Sequence, residues 1–76
     1  MNSDRRKRLS EAATLLEQAQ SLIEEVQQEE ADALDNLPEG LQESERGQRM
    51  SEVADDLDDI ASELTDFIDR LNDAQD

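Results

Sequence analysis

The chain has 76 residues, 22 of them acidic and 7 basic, for a formal net charge of −15, and it contains no cysteine, histidine, tryptophan or tyrosine. A chain this short buries only about 60–65% of the surface its unfolded form exposes, and without cysteine it has neither disulfides nor thiolate metal sites to staple a small core. The composition also lacks the commonest general base, the commonest metal ligands and the thiol nucleophile, so the expectation is a non-enzymatic protein with no catalytic residues, no metal site and no cofactor.

No apolar run approaches the length of a transmembrane span or a signal-peptide core, which leads to the expectation of a soluble, cytoplasmic protein. The charge is uneven along the chain. Residues 1–8 carry Arg5, Arg6, Lys7 and Arg8 against Asp4, a net of +3, and the remainder carries −18. Such a chain is repelled by nucleic acid and by anionic membranes unless the short basic stretch Arg5–Arg8 acts alone, and its natural partners are basic.

Residues 1–8 read as a basic N-terminal arm or as the start of a helix. From Leu9 the apolar residues step by three and four through Ala12, Leu16, Ala19, Ile23 and Val26, with Leu15 and Leu22 widening the stripe. This spacing predicts helix 1 over 9–36. The stripe meets Glu30 at the next position and resumes at Ala33, Leu34 and Leu37. Pro38 disfavours helix at the residue before it and Gly40 follows closely, so 37–43 is read as the turn, with Leu37 and Leu41 plugging the end of the core.

Helix 2 is predicted over 44–76. Ser44 is its expected N-cap, although Gly47 stands where a capping box would place Glu or Gln. Its apolar seam runs Met50, Val53, Leu57, Ile60, Leu64, Phe67, Leu71 and Ala74, with Ala54, Ala61 and Ile68 on one flank. So short a connection makes the two helices antiparallel neighbours. The expected fold is therefore one all-α domain: an antiparallel, coiled-coil-like two-helix hairpin. The stripes are wider than one partner helix covers, which predicts a homodimer in a four-helix bundle, with Leu16, Ile23, Leu57, Ile60, Leu64, Phe67 and Leu71 as the oligomerisation seam.

The remaining face of helix 2 is crowded with acids. Glu52/Asp56, Asp55/Asp59, Asp59/Glu63 and Asp69/Asp73 are like-charge pairs at i,i+4, each costing about 0.2–0.5 kcal/mol in an isolated helix. Arg5–Arg8 at a helix start and Asp69, Asp73 and Asp76 at a helix end also oppose the macrodipole. These charges are not arranged for helix stability.

Three explanations compete. In an antiparallel hairpin, Arg5, Arg6, Lys7 and Arg8 can pair with Asp69, Asp73 and Asp76, which leaves the carboxylates from Glu24 to Glu63 unexplained. A halophilic or high-GC source would fit the single lysine beside six arginines. The third is nucleic-acid mimicry, in which Asp55, Asp56, Asp58, Asp59, Glu63 and Asp66 form rows of charge that a basic groove accepts in place of phosphates. The same acids do not read as a calcium site, because Leu57 and Ile60 interrupt them on a helix and the alternating ligands and central glycine of an EF-hand are missing.

The stretch "NLPEGLQESERGQRM" resembles small, acidic, hairpin-forming proteins of bacterial, prophage and phage genomes, in which a Leu-Pro-Glu turn precedes an acidic amphipathic helix. The likeness spans residues 30–71. It implies a phage or mobile-element origin and an inhibitor that blocks host defence or DNA-binding machinery. The leading functional expectation is a partner-binding protein whose acidic helical face occupies a basic surface of another protein, with no direct nucleic-acid or membrane contact. The alternative is an oligomerisation or adaptor module that recognises partners through its apolar seam.

Overall fold

The computed structural model describes residues 2–75, which form three helices, α1 (Ser3–Asp35), α2 (Glu39–Gln42) and α3 (Glu45–Ala74), and no strand. The long helices α1 and α3 pack side by side as an antiparallel hairpin. The backbone spans 59 × 14 × 12 Å and has a radius of gyration of 17.2 Å, where a compact chain of this length would have about 11 Å.

Helix α1 begins six residues before the start expected from its apolar stripe. Asn2 caps it, its side chain accepting a hydrogen bond from the Arg5 backbone N–H at 2.9 Å. Arg5, Arg6, Lys7 and Arg8 thus lie within the helix rather than on a free arm. The helix ends at Asp35, ahead of Pro38, and the Asn36 N–H closes back on the Asp32 carbonyl at 3.0 Å.

The connection, expected as a plain turn, contains the short helix α2. Pro38, with φ near −53°, precedes it, and the N–H groups of Leu41 and Gln42 both donate to the Pro38 carbonyl. The turn carries Leu41 outward, so it is exposed and does not plug the core; Leu37 is half-buried.

Ser44 caps α3, accepting from the Gly47 N–H at 3.3 Å while its hydroxyl donates to the Leu41 carbonyl. Gly47 is buried, and a Cβ there would overlap the Gln42 carbonyl oxygen and lie 2.6 Å from that of Leu41. The glycine that breaks the capping box is therefore what lets α2 fold tightly over the start of α3.

Burial locates the contact between the long helices. Each can be written as heptads a–g, with position a at Ala13 in α1 and at Ala54 in α3. The buried residues of α3 are Gly47, Ala54, Ala61 and Ile68, one every seven residues, and the d residues Met50, Leu57, Leu64 and Leu71 are half-buried beside them. In α1 the corresponding rows are Ala13, Gln20, Gln27 and Leu34 at a, and Leu9, Leu16, Ile23 and Glu30 at d.

Within the hairpin the central row is the one read as a flank, Ala54, Ala61 and Ile68, while Ile60 and Phe67 of the apolar seam are 43% and 49% exposed. Small residues at a let the helices approach closely, and that approach turns the bulkier g row outward.

An apolar edge and an acidic face

Gln20 fixes the register of the hairpin. Its side-chain amide crosses from α1 to donate to the Ala61 carbonyl at 2.7 Å and to the Thr65 hydroxyl at 2.6 Å. Leu34 shares a groove with Gly47 and Ser51 toward the turn, and Leu16 shares another with Phe67, Arg70 and Leu71 toward the termini.

These three crossings place Thr65 on one edge of the rod and Phe67 on the other, because residues two apart point to nearly opposite sides of a helix. In an antiparallel pair the g rows of both helices share an edge, as do the e rows. The e rows are polar apart from Ala31, with Ser10, Glu17 and Glu24 on α1 and Ser51, Asp58, Thr65 and Asn72 on α3. Beyond Arg5 and Arg46 at their starts the g rows are apolar: Ala12, Ala19, Val26 and Ala33 on α1, and Val53, Ile60, Phe67 and Ala74 on α3.

Together with the outer sides of the d rows, the g rows make a two-helix-wide apolar surface. All seven residues of the expected oligomerisation seam lie on it: Leu16, Ile23, Leu57, Leu64 and Leu71 half-buried at its centre, and Ile60 and Phe67 exposed along it. The Arg70 guanidinium sits 5.8 Å from the centre of the Phe67 ring at its rim. Leu15 and Leu22, on the outer side of α1, are 65% and 63% exposed.

The acidic residues occupy another side of α3. Asp55, Asp56, Asp59, Glu63 and Asp66 fall at positions b, c and f, facing away from α1, and Asp58 falls on the polar e edge; all six are exposed. Among the described residues the ion pairs are Arg8–Asp4 at 3.3 Å and Arg49–Glu52 at 3.5 Å, both within one helix, so none of the six is engaged in one.

The expected pairing of the basic helix start with the acidic end of α3 does not form for Asp69 and Asp73. Arg8 turns instead to Asp4, one turn away on its own helix; Asp76 lies outside the described residues. A partner one turn away costs less side-chain ordering than one across the bundle.

No group of three or more carboxylates among the described residues is placed to hold a metal ion, and the grooves lie open on the surface of the rod. Nor is any described helix long and apolar enough to cross a membrane. Comparison with protein-family models, with curated proteins and with solved structures returns no match.

Proposed function

We propose that the chain is a non-enzymatic interaction protein that pairs with a second copy of itself through the apolar edge and presents the acidic face of α3 to a basic surface of a partner protein. In this reading it acts as an inhibitor of phage type, occupying a surface that otherwise binds nucleic acid. The observation that carries it is the segregation of Asp55, Asp56, Asp59, Glu63 and Asp66 onto one exposed side of a continuous helix, with no cation from the hairpin paired to them among the described residues.

Helix geometry supports the mimicry. Carboxylates three and four residues apart stand about 5–6 Å from one another along the ridge, close to the spacing of successive phosphates on one strand. Aspartate holds its charge near the backbone, so the spacing is kept. Homodimerisation is supported by the surface left bare: the chain exposes 5751 Å², where a compact protein of 8.6 kDa exposes roughly 4,700 Å².

The test is capture of partners from a host lysate, elution with a salt gradient and competition by duplex DNA. Partners should leave at moderate salt and be displaced by DNA. They should also be lost when Asp55, Asp56, Asp58, Asp59 and Asp66 are changed to Asn and Glu63 to Gln, with helicity unchanged or higher. Partners that survive these changes but are lost on Phe67→Ala would replace the reading with an adaptor that binds through its apolar edge.

A further inference from the structure

The two-helix-wide apolar edge admits two symmetric ways of joining two copies face to face. With the two-fold axis along the rod, both turns lie at the same end and α1 of one copy neighbours α3 of the other. With the axis across the rod, the turns lie at opposite ends and each helix neighbours its own counterpart, running antiparallel to it. From the charge distribution along the rod we infer the second arrangement, a head-to-tail dimer in which the basic start of α1 in one copy lies against the acidic second half of α1 in the other. This inference rests on the homodimer proposed above.

The area is sufficient. The apolar rows run from about Leu9 to Val26 on α1 and from Met50 to Leu71 on α3. That strip is about 35 Å long at 1.5 Å per residue, and two helices make it about 20 Å wide. It covers roughly 700 Å² on each copy, or about 1,400 Å² in all, within the range of stable specific interfaces.

Charge decides between the two directions. The first turns of α1 hold Arg5, Arg6, Lys7 and Arg8 against Asp4. In the head-to-tail dimer they approach the far end of the other α1, where Glu29, Glu30, Asp32 and Asp35 stand with no basic residue among them. In the same-end dimer they would approach the end of α3, where Arg70 offsets part of the charge of Asp66, Asp69 and Asp73.

The exposed leucines agree with this choice. Position c borders the apolar edge, and on α1 it holds Arg8, Leu15, Leu22 and Glu29. Head-to-tail packing brings Leu22 close to Leu22 of the other copy near the two-fold axis, whereas same-end packing would set Leu22 against Glu63, in the row of Arg49, Asp56, Glu63 and Arg70. On the α3 side, Arg70 comes near Asp56 of the other copy. The one like-charge meeting is Glu63 with its own counterpart.

The experiment uses the full chain with Gly40→Cys as its sole cysteine. A side chain at Gly40 meets nothing within 4 Å, so a nitroxide label fits there without displacing the fold. Sedimentation gives the mass, and pulsed dipolar spectroscopy gives the distance between the two labels. The head-to-tail dimer places them at opposite ends of a bundle built from 59 Å rods, more than about 45 Å apart. A dimer with labels closer than this overturns the arrangement and leaves the homodimer standing. A monomer at micromolar concentration overturns both. Glu63→Gln provides a second readout: it should tighten the head-to-tail dimer severalfold, and an unchanged or weaker dimer would count against it.

Discussion

The Gln20 side chain reaches across the hairpin to the Ala61 carbonyl, 41 residues away, and holds the Thr65 hydroxyl as well. Among the described residues these are the side-chain hydrogen bonds that join α1 to α3, and they sit in a row otherwise filled by Ala13, Gln27 and Leu34. Gln20→Ala should cost about 1 kcal/mol, a fall of roughly 4–8 °C in Tm for a domain of this size. Gln20→Leu should hold Tm level or raise it, because apolar packing replaces both bonds and the Ala61 carbonyl lies within a continuous helix. Thermal melts followed by circular dichroism test the pair; a Gln20→Ala protein that melts like the parent would remove the role given to this crossing.

The two glycines should respond in opposite directions to the same substitution. Gly47→Ala forces a Cβ against the Gln42 and Leu41 carbonyls, so it should lower Tm even though alanine is the better helix former by about 1 kcal/mol. Gly40→Ala places its methyl group in open space and should stabilise by about 0.4–1 kcal/mol through the unfolded state. Denaturant titration of both variants measures the contrast.

Asp59 lies one turn from both Asp55 and Glu63. Asp59→Asn removes two like-charge pairs and should stabilise by about 0.4–1 kcal/mol at low ionic strength. The gain should shrink as salt rises, since the Debye length falls to about 3 Å at 1 M. The unsubstituted protein should itself melt higher in salt. A melting temperature that drops with sodium chloride would show that attraction, rather than repulsion, dominates the surface of the rod.

Seam and edge can be told apart by size. Ala61→Leu adds bulk where the helices approach closely and should cost about 1–3 kcal/mol. Phe67→Ala acts on a side chain that is 49% exposed in the hairpin, so it should leave helicity largely intact while lowering the sedimenting mass. If Phe67→Ala melts the hairpin instead, the ring is holding the helix pair together rather than joining copies.

Much of the helix pattern was legible because Leu, Ile and Phe recur at heptad spacing and Pro38 interrupts them. The row that makes the hairpin was harder to see. On α3 it consists of Gly47, Ala54, Ala61 and Ile68, of which the first three carry little side-chain area, while Val53, Ile60 and Phe67 mark the g row more strongly. On α1 the same row is obscured by Gln20 and Gln27, which composition assigns to solvent. Reading bulk as burial set the g row, rather than the a row, beside d. The acidic face was plain from spacing alone; that Arg8 would turn to Asp4 depends on a one-turn geometry that competes locally with every longer pairing.

Two helices side by side make a single layer, so the interior is one narrow row of residues rather than a core, and tolerance to mutation cannot follow the usual division into interior and exterior. It should instead keep time with the helix. Scanned residue by residue, α3 would show intolerance returning every seventh position from Gly47 through Ala54, Ala61 and Ile68, with latitude between the beats, and a frameshift of that rhythm by one residue would do more harm than any single exchange of side chain.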